Sequence, residues 1–355
     1  MQPKTAYIFP GQGSQYLGMG HELYDNFEIA SFVFYRANRL FKKEFENIIF
    51  GNVPDKLANR VRGLKTHLDR QVQIATYITS WAAFSAFGQR LMGGELSLTP
   101  EVVAGHSFGE YTALTAAEAI NYDTGLQLVN QRERIMLSHA KEIDGGLVAI
   151  VNKDRVMTQE DVRNISNYAG REILHIALYN SSKQTVFGGI SKNIGAAKQL
   201  LKKSEFRAID LPVLGPWHTP LMSSASERLG SYIEQEKVSF KRAKIPLVAN
   251  TLTDDNIDPK VITSPNEIKK ELVNQLDHPV LWSQTIAKII REYKAERIII
   301  FGPGKIIQKI INAEYPDVRT CRVEDLQSLE ETIEEIKYPG KKIEEPPENR
   351  QPSNQ

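Results

Sequence analysis

Short apolar runs and longer segments with helical periodicity alternate along most of this 355-residue chain. Runs rich in β-branched and aromatic residues at 5–9, 101–105 and 297–301 predict strands. Segments whose apolar residues recur three and four positions apart, such as 72–87 and 123–141, predict helices. Because strands and helices alternate, the pattern predicts an α/β fold whose large domain is built on a parallel sheet.

Two further parts of the chain extend this β/α pattern. A helix is predicted over 14–25, after the loop PGQG at 10–13 that ends the first strand. Much later in the chain, a strand at 245–250 precedes helices across 266–294. The large sheet is therefore expected to draw its strands from both halves of the sequence.

The middle of the chain has a different order of elements. Between residues 144 and 212 the segments follow the β-α-β-β-α-β order of a ferredoxin-like unit. We therefore expect a large α/β domain made of residues 1–143 and 213–337, with a ferredoxin-like small subdomain inserted at 144–212. Residues 338–355 are proline-rich, polar and poor in apolar residues, and they predict a disordered tail or linker.

Composition and charge exclude several classes of protein. The 44 Lys and Arg residues nearly balance the 43 Asp and Glu residues, which argues against a nucleic-acid or anionic-membrane partner. No apolar run approaches the roughly 18 residues of a membrane-spanning helix. The single cysteine, Cys321, fits a reducing compartment, and no leader-like segment follows Met1. The sequence therefore predicts a cytoplasmic protein.

The stretch GHSFG at 105–109 lies between a predicted strand and a predicted helix. Gly-x-Ser-x-Gly in this setting is the nucleophile-elbow pattern, which presents a serine hydroxyl at the carboxyl edge of a hydrolase-like parallel sheet. Ser107 is then a candidate nucleophile. The alternative is a plain helix N-cap, in which Ser107 and Glu110 form a capping box. The pattern alone favours neither reading.

A serine nucleophile needs a base, and seven histidines compete for that role. They are His21, His67, His106, His139, His175, His218 and His278. His106 adjoins the serine, but neighbours across a sharp turn rarely face each other. His218 lies in the Gly/Pro-bracketed loop VLGPWHTPLM, which is typical of rigid backbone beside a pocket. His218 is therefore the candidate base, although a lone histidine is more often structural.

Arg132 occupies an unusual position on its predicted helix. Its neighbours three and four positions away are all apolar, so its guanidinium is expected to be buried and to need a partner. That partner is either a buried carboxylate of the protein or the carboxylate of a substrate. Arg134, whose neighbours are mostly polar, is expected to be solvated.

Several stretches together resemble one family, the malonyl-CoA:acyl-carrier-protein transacylases and the related acyltransferase domains of polyketide synthases. These stretches are FPGQGSQ, GHSFGEYTAL, the helix that carries Arg132, HTPLM, NQLDHPVLW and FGPGK. They occur in the family's order and extend to about residue 320, with the ferredoxin-like insertion where the family has it. Each motif is moderately specific, and the ordered set is much more so.

The resemblance implies a role for each matching residue. Ser107 would be the acylated nucleophile and His218 the general base and acid. The backbone carbonyl of Gln275 would orient the histidine. An oxyanion hole would be formed by the backbone amides of Gln12 and Phe108.

The resemblance also implies how the substrate is bound. Arg132 would bind the free carboxylate of the malonyl group, and Gln71, Asn180 and Trp217 would line the acyl pocket. Where the family has Phe in malonyl enzymes and Ser in methylmalonyl enzymes, this chain has Trp217, which is expected to favour unsubstituted malonyl. The family's Gln-Pro-Ala is placed at residues 71–73, which read QVQ here.

The implied function is ping-pong transfer of a malonyl group from CoA to the phosphopantetheine thiol of an acyl carrier protein, for fatty-acid or polyketide synthesis. No metal or redox cofactor is expected, since no metal-ligand spacing is present in the sequence. One alternative is a hydrolase of the same fold that clears acyl chains from carrier proteins, which the presence of Arg132 disfavours. A second is a catalytically silent docking module, which the intact Ser107, His218 and Gln12 disfavour.

Overall fold

The computed structural model describes residues 2–52, 68–152, 155, 158–169, 174–202, 204–254 and 257–340. His67 lies outside these residues, as does segment 341–355, most of the predicted tail. The domain boundaries stay a prediction.

Ten strands are formed by the described residues, numbered here in chain order. They are β1 Thr5–Phe9, β2 Val102–Gly105, β3 Gly145–Val151, β4 Leu174–Ser181, β5 Gln184–Ile190, β6 Arg207–Asp210, β7 Leu247–Asp254, β8 Asp258–Ile262, β9 Arg297–Phe301 and β10 Arg319–Val323.

Thirteen α-helices are formed by the same residues. They are α1 His21–Asn26, α2 Glu28–Phe41, α3 Phe45–Phe50, α4 Val72–Gly93, α5 Gly109–Ala116, α6 Tyr122–Ala140, α7 Gln159–Ala169, α8 Ser191–Leu201, α9 Ser223–Gln235, α10 Pro265–Asn274, α11 Trp282–Arg291, α12 Ile306–Glu314 and α13 Leu326–Lys337.

The large sheet has six strands in the order β10-β9-β1-β2-β7-β8. Its first five strands are parallel, and β8 pairs antiparallel with β7 at one edge. The central strand β1 is buried along its whole length, as expected for a parallel strand covered on both faces. The predicted α/β fold on a parallel sheet is therefore confirmed.

The second sheet is antiparallel and has the order β4-β5-β3-β6. With helices α7 and α8 in the connections, this is the strand order of a ferredoxin-like unit, as the sequence predicts. Its own small core includes Val148, Ile150 and Phe187. Backbone hydrogen bonds from Tyr179 to Val280 and from Val280 to Ala177 attach its edge strand to the large domain.

Three local predictions differ from the structure. The helix predicted over 14–25 begins only at His21, because Gly20 before it has a φ of 76°, which is not helical. The last strand of the ferredoxin-like unit, which the run RAIDLPV predicts over 207–213, ends at Asp210, before Pro212, which has no N–H to donate. Strands β8 and β10 were not predicted, since DPKVI and RTCRV are edge-strand sequences with polar residues and weak apolar patterns.

No helix in the described part of the chain combines the length and the apolar character needed to cross a membrane. The cytoplasmic location stays a prediction.

Candidate active site

The carboxyl ends of three adjacent parallel strands meet at one edge of the large sheet. Gln12 follows β1, Ser107 follows β2, and Asn250 lies in β7. Ligand and catalytic groups collect at such an edge because every strand delivers its next loop there. The candidate nucleophile therefore stands where two neighbouring loops can reach it.

Ser107 lies at the tip of a tight turn between β2 and α5, with a φ of 52° that a non-glycine residue rarely adopts. The flanking glycines make this turn possible. A Cβ at Gly105 would overlap the backbone of Gly109 and Glu110, and one at Gly109 would overlap the carbonyl of Phe9. The capping-box alternative is wrong, because no side chain caps this helix and the Ser107 hydroxyl bonds elsewhere.

The Ser107 hydroxyl lies within hydrogen-bonding distance of an imidazole from far along the chain. Its Oγ is 2.8 Å from Nε2 of His218, and Nδ1 of His218 is 2.5 Å from the backbone oxygen of Gln275. A carbonyl only accepts, so Nδ1 carries the hydrogen and Nε2 is left to accept the serine proton. Burial, assisted by the positive charge of Arg132, lowers the pKa of His218 to about 3. The histidine is therefore a neutral acceptor at physiological pH.

The backbone around His218 is held in a defined conformation. His218 has a φ of 62°, and its N–H donates to the carbonyl of Leu276 over 3.0 Å. The hydroxyl of the next residue, Thr219, donates to the carbonyl of Pro216 over 2.7 Å. Two residues with left-handed backbone, Ser107 and His218, therefore face each other across one buried hydrogen bond.

Arg132 is buried beside the serine, with 1% of its surface exposed. Its Nη2 donates to Oγ of Ser107 at 3.2 Å and to Oε1 of Gln275 at 3.0 Å, and its Nη1 donates to Oε1 of Gln73 at 2.6 Å. These partners are neutral oxygens, and Nε has no partner within the described residues. Burial lowers the pKa of Arg132, but an arginine remains charged at physiological pH. Arg134 is exposed, as expected.

The loop after β1 lies against the elbow. A Cβ at Gly11 would overlap the carbonyl oxygen of His106, so the two segments are in direct backbone contact. Throughout the part of the chain that the structure describes, the backbone N–H groups of Gln12 and Phe108 have no hydrogen-bond acceptor. Two free amides on adjoining segments, one of them next to the nucleophile, are suited to bind an oxyanion.

Replacing Gly11 with alanine should test this contact. The added methyl group would push the Gln12 loop away from the elbow, and losing one oxyanion donor typically costs about 10²–10³-fold in rate. We expect single-turnover acylation to fall by that factor. Gly88→Ala is the matched control, because a Cβ there meets nothing within 4 Å in helix α4. An unchanged rate in Gly11→Ala would contradict the expected role of this loop.

The two glutamines at the start of α4 differ in what they contact. The side chain of Gln71 accepts a hydrogen bond from Lys43 at the surface, and the described contacts do not bring it to Arg132. Gln73 is the residue that contacts Arg132. The sequence contained a signal for this, since Gln73-Ile74-Ala75 matches Gln-Pro-Ala at two of three positions.

A buried carboxylate that sequence reasoning missed holds the start of α4 in place. Glu133 accepts hydrogen bonds from the N–H groups of Gln73 and Ile74, which are among the free donors of this helix N-terminus. Burial raises its pKa to about 7. Glu133 and Arg132 are neighbours on α6, so one segment fixes both the arginine and the glutamine that contacts it.

The remaining predicted pocket residues lie near the same turn. Asn180 on β4 has Oδ1 3.1 Å from Nε2 of His106, and it donates to Gln184 at 2.7 Å. His106 also meets the edge of the Trp282 ring. Trp217 is 5% exposed, and its ring packs directly over Gly215 in the main core.

The other histidines are not in the described contacts of Ser107. His139 is buried and pairs with the carbonyl of Leu221, while His21 and His278 are exposed beside aspartates. In the same described residues, no group of three or more His, Cys, Asp and Glu could hold a metal ion.

Asn250 is a second residue that sequence reasoning missed. Its Oδ1 accepts from the N–H of Ser107 at 2.8 Å, and its Nδ2 donates to the carbonyl of Gly105 at 2.8 Å. It therefore fixes the elbow from the neighbouring strand. Its place as a polar residue after the apolar run IPLVA was the available signal.

Comparison with known proteins gives a consistent family. Residues 6–322 match the family described as acyl transferase domain. The malonyl CoA-acyl carrier protein transacylase of Bacillus subtilis (strain 168) is 31% identical over 337 residues, covering 94% of this chain and 98% of that protein. The enzyme of the same description from Salmonella typhimurium is 30% identical over 305 residues, covering 85% and 90%.

Solved structures show the same similarity. The crystal structure of a malonyl CoA-acyl carrier protein transacylase from Clostridium perfringens matches with a TM-score of 0.79 and 31% identity, covering 94% of this chain and 97% of that one. A malonyl-transacylase solved in complex with a type II PKS acyl-carrier protein matches with a TM-score of 0.80 and 27% identity, covering 93% and 99%.

Proposed function

Because the chain belongs to the acyl transferase family and is a malonyl-CoA:acyl-carrier-protein transacylase, we propose that it carries the malonyl group on Ser107 and transfers it by a ping-pong mechanism. His218 acts as general base and acid in both half-reactions. The backbone amides of Gln12 and Phe108 form the oxyanion hole. Arg132 binds the malonyl carboxylate.

The observation that carries this proposal is the environment of the Arg132 guanidinium. Its guanidinium is buried, bonded to neutral oxygens, and 3.2 Å from the nucleophilic oxygen. A buried charge with no ion-pair partner is costly, and a carboxylate that binds it bidentately offsets that cost. In a malonyl group the carboxylate is separated from the thioester carbonyl by one methylene carbon. Arg132 lies beside Ser107 and is therefore within reach of the carboxylate of a malonyl group bound to the serine.

The first half-reaction forms the acyl-enzyme. Nε2 of His218 accepts the Ser107 proton as Oγ attacks the thioester carbonyl carbon of malonyl-CoA. The carbonyl oxygen becomes an oxyanion that receives hydrogen bonds from the Gln12 and Phe108 amides. The tetrahedral intermediate collapses, the C–S bond breaks, and the CoA sulfur takes the proton from the imidazolium. The product is a malonyl ester of Ser107.

The second half-reaction reverses these steps with a different thiol. The phosphopantetheine thiol of the carrier protein gives its proton to Nε2 of His218 and attacks the ester carbonyl. The ester C–O bond breaks, and Oγ of Ser107 takes the proton back. Throughout both halves the Gln275 carbonyl holds Nδ1–H, which keeps the tautomer fixed.

Acyl specificity is assigned to the residues around this centre. We assign Gln73, and not Gln71, to the acyl pocket, because its side chain contacts Arg132 directly. Trp217 precedes His218 and presents a larger ring than phenylalanine, so we propose that it disfavours α-methyl branches. Asn180 is proposed to shape the acyl pocket indirectly, through its contact with His106, the residue next to Ser107.

The proposed mechanism uses only protein groups, so it needs no cofactor beyond malonyl-CoA as substrate. We propose that the malonyl-carrier product serves fatty-acid or polyketide synthesis, since the relatives are described as malonyl CoA-acyl carrier protein transacylases and one was solved with a type II PKS carrier. We further propose that the enzyme works in the cytoplasm without nucleic-acid or membrane partners, as the balanced charge suggests.

Transfer and hydrolysis can be separated in one assay. Enzyme loaded with labelled malonyl-CoA is divided between buffer and holo-carrier protein. We expect the label to persist in buffer and to move to the carrier thiol, because Arg132 retains the acyl group. Release of free malonate in buffer as fast as transfer to the carrier would support the hydrolase instead.

A further inference from the structure

Two buried carboxyl groups lie directly beneath the catalytic residues. Glu110 is on α5, one turn after Ser107, and Glu271 is on α10, one turn before Gln275. Both side chains are fully buried and hydrogen-bonded to each other. The proposed mechanism uses neither of them.

Their contacts connect the parts of the site that must stay aligned. Glu110 accepts from the N–H of Asn250 at 2.7 Å and from Nε2 of Gln275. Asn250 in turn holds the N–H of Ser107, and Gln275 supplies the carbonyl that orients His218. Gln275 also donates to the carbonyl of Ser107 at 2.9 Å. Glu110 therefore reaches both the serine and the histidine through one neighbour each.

The donors around the two carboxyl groups are unequally distributed. Glu271 accepts from the N–H groups of Asn250 and Thr251 at 3.0 Å and 2.9 Å, and from the Thr251 hydroxyl at 2.9 Å. Three donors on one group stabilise its ionised form. Two carboxylates in contact repel each other, so one of the pair must hold a proton. The richer donor set of Glu271 leaves that proton to Glu110.

We propose that Glu110 is a neutral carboxylic acid in the active enzyme, that its O–H donates a hydrogen bond to the Glu271 carboxylate, and that it acts as a positioning residue for Ser107 and His218. As a neutral group it bridges Asn250 and Gln275 without placing a second negative charge beneath the nucleophile. When it ionises, the repulsion between the carboxylates separates α5 from α10 and misaligns the serine and the histidine.

Among the titratable groups around the pair, Glu110 is the one that we expect to lose its proton at alkaline pH. Burial and the Glu271 charge raise the pKa of Glu110 well above its usual value. Among the described residues, the other titratable or charged groups that act on the pair are Tyr111 on α5, Arg132 on α6 and the exposed His278 after α10. Burial raises the pKa of Tyr111, so it stays neutral, and Arg132 stays charged. The loss of alignment between Ser107 and His218 at alkaline pH is therefore expected to follow the ionisation of Glu110.

Glutamine is the informative substitution at this position. In Glu110→Gln, the amide N–H₂ replaces the acid O–H as the donor to Glu271, and the amide oxygen still accepts from Gln275. The amide nitrogen cannot accept from the Asn250 N–H, which keeps its bond to Oε1 of Glu271 at 3.0 Å. The variant therefore keeps the contacts of the neutral acid with Glu271 and Gln275, and it cannot ionise. Glu110→Ala removes both bridges and leaves the partners unsatisfied. Glu118→Gln, on an exposed glutamate paired with Lys244, is the matched control.

The experiment compares single-turnover malonyl loading between pH 6 and pH 10 in these variants, with thermal unfolding to verify the fold. We expect Glu110→Gln to load within about tenfold of the wild type at neutral pH, and Glu110→Ala to load at least 100-fold more slowly. The wild-type rate is expected to fall at alkaline pH and the Glu110→Gln rate to stay level. Equal losses in both variants, or the same alkaline fall in Glu110→Gln as in wild type, would overturn the proposal.

An infrared readout makes the test independent of activity, since the kinetic arm rests on the proposed function. At about pH 8.5 the wild type should show the carbonyl band of a protonated carboxyl group, and Glu110→Gln should lack it. Glu133, with its pKa raised to about 7, is largely ionised at that pH. Absence of the band from the wild type would overturn the protonation of Glu110. Failure of the wild type to load malonyl would instead overturn the proposed function.

Discussion

Replacing His218 with alanine is expected to slow the acylation of Ser107 by about 10⁴–10⁶-fold. Removing the base from a catalytic unit has an effect of this size, because only the oxyanion hole and substrate binding then still accelerate the reaction. In this chain His218 is the proton acceptor that contacts Ser107, at 2.8 Å. Rapid-quench measurement of malonyl loading gives the rate directly.

His278→Ala is the control for this substitution, since His278 is exposed and pairs with Asp277. The wild-type rate should also remain nearly constant from neutral pH to about pH 5, because the pKa of His218 is lowered to about 3 and the imidazole stays neutral there. Loading by His218→Ala within tenfold of the wild type would contradict the assignment of the base.

Replacing Arg132 with alanine is expected to reduce kcat/KM for malonyl-CoA by about 10²–10³-fold or more. Breaking a buried, charge-assisted pair costs about 3–5 kcal/mol, and each 1.4 kcal/mol is a factor of ten. The substituted enzyme loses the proposed partner of the malonyl carboxylate and keeps the proposed nucleophile and base. Acetyl-CoA has no carboxylate to lose, so its slow loading should be unchanged or faster. Comparing kcat/KM for the two CoA esters measures this change in selectivity.

The same helix supplies the control. Arg134 is two residues further along α6 and is exposed, so Arg134→Ala should leave both kcat/KM values unchanged. The fold should survive Arg132→Ala, because a buried charge with no ion-pair partner is costly in the folded protein and its removal relieves that cost. An equal fall for malonyl-CoA and acetyl-CoA in Arg132→Ala would show that the arginine has a structural role only.

The sequence predicted the parts of the site that depend on local backbone geometry. The two glycines around Ser107 indicate a turn that rejects a Cβ, and the structure shows the backbone contacts that require them. The apolar neighbours of Arg132 indicated that it is buried, and it is. Both properties depend on residues within a few positions of Ser107 or Arg132, so the sequence alone is enough to predict them.

Contacts between distant segments could not be predicted in the same way. Asn250 and Ser107 are bonded across adjacent strands, and Glu271 meets Glu110 from a helix much later in the chain. A buried glutamate on an amphipathic helix looks like any solvated glutamate until its helix is placed. The pairing of His218 with Gln275 came from family resemblance, because nothing in the loop sequence fixes which carbonyl the imidazole meets.

One assignment shows how sensitive this reasoning is to register. Gln71 and Gln73 are two positions apart at the start of α4, yet one points to Lys43 at the surface and the other to Arg132 in the core. Gln71 is the non-helical residue that precedes α4 and Gln73 is the second residue of the helix, so their side chains leave the backbone in different directions. The carboxylate of Glu133, bonded to the Gln73 N–H, fixes which of the two glutamines lies inside.

Mapping the site of malonyl attachment by mass spectrometry tests most directly whether Ser107, His218 and Arg132 act as one unit. The protein is mixed briefly with malonyl-CoA, quenched in acid, digested and fragmented. We expect one malonyl group per chain, located on Ser107, absent from Ser107→Ala and strongly reduced in His218→Ala and Arg132→Ala. A malonyl group on any other residue, or full labelling of Ser107→Ala, would contradict the assignment of this buried centre.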